Sequence, residues 1–256
     1  MKPLFTSPRW RWLLAVLLGL FLAPLAVSFG GRLVGPASAL DWRTARGDSS
    51  GQAPDPATTE EAVLQVYAAR AFGWRGAFGV HTWFALKPTG ADRYVRAEVI
   101  GWGVRHGYPA VRISGRVPDG YWFGNRPEIL LERRGDGVDQ LIARVLEAAT
   151  RYPHADSYRL WPGPNSNTFT AYVARQVPQL RLELPAHAIG KDYLTGGALI
   201  APAPSGTGKQ VSLYGLAGLL VAAEEGIELN LLGLTLGLDL SPPALKLPGI
   251  GRLGPS

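Results

Sequence analysis

Three polar residues in this chain have the types needed to attack a carbonyl. Ser166 lies in Asn165-Ser166-Asn167-Thr168, straight after the corner Pro162-Gly163-Pro164 and just before a helical run. Serine is a weak nucleophile at neutral pH and needs a positioned base. At a helix N-terminus it gains from the positive end of the helix dipole, and free backbone N–H groups there can bind an oxyanion. His81, in the strand-like GVHTWFAL, supplies the base, and Glu98, in RYVRAEVIGW, supplies a carboxylate. If the hairpin between them centres on Thr89 and Gly90, His81 and Glu98 sit opposite each other on one face of a sheet. A carboxylate so placed fixes the imidazole tautomer and raises its basicity. The expected triad is Ser166, His81 and Glu98, with Asn165, Asn167 and Thr168 as the supporting turn. The same residues also read as plain caps and a strand histidine, and a register slip of one residue would part His81 from Glu98.

The elements that must hold these residues can be read from periodicity. Alternation in Val63-Gln65-Tyr67 and Leu64-Val66-Ala68 predicts a strand. Gly79 to Leu86 and Tyr94 to Trp102 predict two more, joined through a Pro-Thr-Gly turn. Val138, Leu141, Ile142, Val145, Leu146 and Ala149 recur at helical spacing, and Pro153 stops that helix. Thr168 to Val177 is a second helix ended by Pro178, and Arg126 to Arg134 reads as a shorter one. The tail, Ser205 to Gly254, is rich in Leu and Gly. Its IELNLLGLTLGLDL alternates at period two, so it predicts strands finishing a sheet, with glycines at close approaches. The alternative is a surface leaning on lipid; the run Leu213 to Ala223 is too short to be a second span.

APSGTGKQ has Ala203 where a phosphate loop needs glycine and Gln210 where it needs Ser or Thr, so no nucleotide is expected. The chain has no cysteine and its four histidines are scattered, which gives no metal site and no cofactor. Trp83, Trp102, Tyr121 and Trp122 could line a groove, although such aromatics are more often core. The net charge of +6 is spread along the chain without a basic run, so no nucleic acid is expected as partner.

The N-terminus carries the strongest targeting signal. Lys2, Arg9 and Arg11 precede Trp12 to Phe29, a run of uncharged, mostly apolar residues just long enough to span a bilayer as a helix. The positive flank predicts that this end stays in the cytoplasm and the body is exported. A small-x-small site at Ala37-Ser38-Ala39 allows cleavage before Leu40. The segment 1–40 therefore reads as a signal anchor or signal peptide, 41–59 as a flexible linker rich in Gly, Ser and Pro, and 60–256 as one globular domain. Within that domain, 63–200 is the expected core and 205–254 the β tail. The fold class is α+β: a mostly antiparallel sheet with two or three packed helices, preceded by one N-terminal transmembrane helix.

The blocks GWRGAFGVHTWFALKP, DGYWFGNRP, WPGPNSNTFTAYVARQVP, LPAHAIGKD and LGLDLSPPALKLPGIGRLG resemble an uncharacterised family of bacterial membrane-associated proteins, domain of unknown function 3750. That resemblance covers nearly everything after residue 62 and implies no activity. The order of a strand histidine, a polar residue on the next strand and Asn-x-Asn-Thr-Phe opening a helix is similar to the circularly permuted papain-like hydrolases and acyltransferases. These are the NlpC-type group that includes lecithin:retinol acyltransferase. The similarity spans His81 to about Val173 and implies His81 as base, Glu98 as third polar residue and Ser166 where the nucleophilic Cys is expected. The departure of Ser for Cys implies a serine variant or a lost activity. The expected function is thus a hydrolase or acyltransferase, anchored in the bacterial inner membrane by one helix touching lipid. It would face the periplasm and act on an amide or ester of the cell envelope; a cleaved signal would release it to the periplasm. The alternative is a non-catalytic envelope protein that binds a lipid, peptide or protein partner.

Overall fold

The structure, a computed structural model, describes residues 8–34 and 41–255. Lys2 and the small-residue site Ala37-Ser38-Ala39 lie outside the described residues. Helix α1, Pro8–Val34, carries the apolar N-terminal run through Pro24 without interruption. Its stretch Trp10–Val34 is long and apolar enough to cross a membrane.

Five strands form the first sheet: β1 (Val63–Arg70), β2 (Val80–Lys87), β3 (Val95–Val99), β4 (Val111–Ser114) and β5 (Glu128–Arg134). They are antiparallel in the order β4-β3-β2-β1-β5. One face carries Leu64, Val66, Phe84 and Leu86, covered by α2 (Val138–Thr150) and α3 (Ser166–Gln176). The helices bury apolar residues three and four apart, such as Val138, Ile142, Val145 and Ala149 of α2. The opposite face carries Tyr67, Trp83, Ala85 and, from a loop, Trp122.

Seven strands form the second sheet: β6 (Ile200–Pro202), β7 (Gly208–Leu213), β8 (Ala217–Ala222), β9 (Gly226–Leu231), β10 (Leu234–Leu240), β11 (Pro243–Leu247) and β12 (Gly251–Leu253). It is a meander in chain order, antiparallel throughout. The α+β class therefore holds, with the sheet divided in two and α1 ahead of it.

Three local expectations change. Arg126 to Arg134 is not a helix: Glu128–Arg134 pairs with β1, where a bulge between Val66 and Tyr67 lets the strand fit. The hairpin register differs by two residues, because Trp83, not His81, sits opposite Glu98. Residues 49–53, inside the stretch expected as linker, are pinned to the domain by one carboxylate. Asp119 accepts hydrogen bonds from the Ser49 and Ser50 hydroxyls and from the backbone N–H groups of Gln52 and Ala53.

Candidate functional site

A shift of two residues keeps a side chain on its face, so His81 and Glu98 still meet, now on a diagonal. His81 Nε2 lies 2.8 Å from Glu98 Oε2. The fully buried Glu98 carboxylate also accepts from Arg96 Nη2 at 2.8 Å and from Arg116 Nη1 at 3.0 Å. Burial works against its charge, but His81 and the two guanidinium groups outweigh it and hold Glu98 down at about 2. For His81 the balance falls the other way: burial lowers its pKa despite Glu98. The site therefore holds an ionised carboxylate and a neutral imidazole at pH 7. Nε2–H donates to Glu98, and no hydrogen bond among the described residues reaches Nδ1.

Aromatic rings fix this dyad from one side. The His81 ring stacks on Trp122 with centroids 3.7 Å apart, and Trp122 stacks in turn on Trp102 at 5.6 Å. Arg96 sits 4.0 Å over Trp83, and Arg116 sits 5.8 Å from the Trp122 ring. Of the four aromatics expected to line a groove, Trp83 and Trp122 are buried, and Tyr121 is partly covered by Arg46 at 4.0 Å. Trp102 alone of the four is open, 57% exposed. The guanidinium side chain of Arg116 is 48% exposed beside the stack and lines a 410 Å³ cleft with Tyr94, Ser49 and Asp119. The loop that presents Trp122 holds Phe123 at φ +48°, a conformation side chains avoid unless the surroundings enforce it.

Ser166 is not brought to His81. Side chains alternate across a strand, so His81 and Thr82 point to opposite faces of β2. It is Thr82 that meets α3: its hydroxyl lies 3.4 Å from the Ser166 carbonyl and 2.8 Å from Thr170 Oγ1. His81 faces Glu98 and the tryptophans on the other side. Ser166 is also not the helix cap. Asn165 is, with its Oδ1 accepting from the N–H groups of Asn167 at 2.9 Å and Thr168 at 3.1 Å. Those are two of the donors an oxyanion hole at this helix end would need, and the cap occupies them. Asn167 ties the helix to the carbonyls of Val80 and Ile189, and Thr168 to that of Gly190. Among the described residues the buried Ser166 hydroxyl makes no hydrogen bond.

Residues 61–193, just over half of the 256, match the family described as protein of unknown function (DUF3750). The chain belongs to that family. The DUF3750 match takes in His81, Glu98, the Trp102–Trp122 stack and Ser166, and ends before the second sheet. No curated protein and no solved structure matches the chain.

Arg96, Arg116 and Asp119 were not singled out from sequence, yet they complete the site. Arg96 had a readable signal: two residues before Glu98 on a strand, it must share its face. Arg116 and Asp119 come from a loop, and loop conformation leaves no periodic trace.

Proposed function

We propose that this DUF3750 protein is a non-catalytic, membrane-anchored protein of the bacterial inner membrane. Its domain faces the periplasm and binds an anionic component of the cell envelope. The observation that carries this reading is the Trp102–Trp122–His81 stack, which offers one open tryptophan beside the half-exposed Arg116. Buried neighbours hold both in place, so little ordering is needed on binding. A tryptophan face takes the apolar side of a ring or chain, and the guanidinium takes a carboxylate or phosphate. The test is thermal unfolding of the full chain in detergent with soluble peptidoglycan fragments or short-chain phosphatidylglycerol. At a hundredfold excess over Kd, a ligand stabilises by about 2.7 kcal/mol. In a domain of this size that raises Tm by about 5–10 °C. The shift should vanish in Trp102→Ala and shrink in Arg116→Gln; no shift with either ligand class rejects the reading.

A second reading, the serine hydrolase or acyltransferase, has two observations in its favour. His81 is held by Glu98 as a neutral base, and among the described residues neither its Nδ1 nor the Ser166 hydroxyl at the start of α3 is hydrogen-bonded. Against it stands their placement on opposite faces of β2. Fluorophosphonate labelling of membranes separates the two. Label lost in both Ser166→Ala and His81→Ala would support the enzyme, and an unlabelled, folded wild type would support the binding protein.

A further inference from the structure

The second sheet is built inside out for a domain surrounded by water. Its inward row runs Gln210, Leu220, Glu228, Gly237, Lys246 and Arg252 across six strands. Lys246 Nζ lies 3.0 Å from Glu228, 2.8 Å from Asp239 and 2.5 Å from Glu183, and Lys191 Nζ lies 2.5 Å from Glu228. Lys191, Lys246, Glu228 and Asp239 are buried. The outward rows are the reverse. One runs Val211, Leu219, Leu229 and Leu236, and the next runs Val221, Ile227, Leu238, Leu245 and Leu253. Most of these are exposed, and the strands β6 to β12 present one outward charge, Lys209 of β7. Seven strands at about 4.8 Å spacing make this face about 29 Å wide.

A sheet with one wet side puts polar residues outward. Charge inside and aliphatic residues outside is the arrangement of a protein solvated by hydrocarbon. Helix α1 supplies the hydrocarbon. From Phe21 to Arg32 it lies against the domain rather than apart from it. Phe21 and Pro24 are buried, and α1 packs alongside β10 and β11. Ser28 Oγ donates to Ala77 O at 2.7 Å and to Gly249 O at 3.2 Å. At about 1.5 Å per residue, that contact covers about 16 Å of the helix, half of a hydrocarbon core about 30 Å thick. A bilayer crossed by α1 therefore borders β10 and β11 directly. Protein partners favour Trp, Tyr and Arg at their contact centres. The outward positions of these strands carry no aromatic residue and no arginine.

We propose that the outward face of the second sheet is a lipid-contact surface, seated in the leaflet that receives the C-terminal half of α1. This placement rests on α1 and the second sheet alone and is independent of the site on the first sheet. The chain has no cysteine, so single labels are unambiguous. Leu219→Cys and Leu238→Cys report on the outward face, and Ile113→Cys on β4, also exposed, is the control. Each full-length variant carries an environment-sensitive fluorophore and is reconstituted into phosphatidylcholine–phosphatidylglycerol vesicles. Labels at 219 and 238 should emit blue-shifted light and be quenched several-fold more by doxyl-lipids than the label at 113. Iodide should quench only the control. Iodide quenching of all three labels overturns the proposal. Shielding of 219 and 238 from both quenchers, with disulfide cross-linking between copies, also overturns it and assigns the face to a second copy of the chain.

Discussion

Glu98 is the one acceptor shared by His81, Arg96 and Arg116. Glu98→Gln removes the charge and leaves a buried guanidinium without its counter-ion. A loss of about 3–5 kcal/mol in urea unfolding is expected, with Trp102 still exposed to acrylamide in the folded fraction. Acid acts at the same place. Glu98 is held below its unfolded value, so its stabilisation is complete above about pH 4.3 and is lost as pH falls toward 2. His81 is lowered by burial, and His187 is lowered to about 3 by burial and by the charge of Arg70. The unfolded chain binds protons at these histidines below about pH 6.5 while the folded one does not, so stability falls from there downward. Tm measured between pH 7.5 and 5 should decline, and His187→Asn should flatten the slope; an unchanged slope would mean that His187 titrates normally.

Helix α3 separates capping from chemistry. Asn165→Ala deletes the acceptor of two backbone N–H groups and should cost about 1–2 kcal/mol in urea unfolding. Ser166→Ala removes a hydroxyl with no hydrogen bond and should shift stability by less than about 0.5 kcal/mol. In the second sheet, Lys246→Met takes the paired cation from Glu183 and leaves Glu228 to Lys191 and Asp239 to Arg252, and should cost about 1–3 kcal/mol. Gly237 gives the Lys246–Glu228 ion pair room: a Cβ there would stand 3.0 Å from Glu228 Cγ and 3.3 Å from Lys246 Cβ, so both would have to shift. The same elements show what the sequence made readable. The periods of α2 and the tail strands are plain, because burial on one side imposes them. Which side is buried was not plain. Alternation in IELNLLGLTLGLDL is the same whether leucines or glutamates face in, and in β2 it puts His81 and Thr82 on opposite faces without saying which one α3 will cover. The strand Glu128–Arg134 was missed because its Ile129-Leu130-Leu131 run has neither period, and its bulge against β1 leaves no local sign.

At the scale of the molecule, one sheet is packed under helices and the other turns an aliphatic face outward, and α1 packs on β10 and β11 while bonding to loops beside the first sheet. Arg32 donates to the carbonyls of Ala71 and Gly73 and, at 3.0 Å, to Asn125 Oδ1. Asn125 in turn donates to the Trp122 carbonyl. Spin labels at Val27→Cys and Ile113→Cys should therefore give one narrow distance distribution. It should broaden in Arg32→Ala and stay narrow when Gly-Ser residues are inserted within 41–47. Broadening on insertion alone would mean that the chain after α1, not Arg32, sets the spacing. A domain on a slack tether sweeps a hemisphere and meets whatever comes within its radius. On the proposed membrane-anchored reading, a domain bolted to α1 by Arg32 and Ser28 works at a single altitude, and the proposed ligand must come to that height.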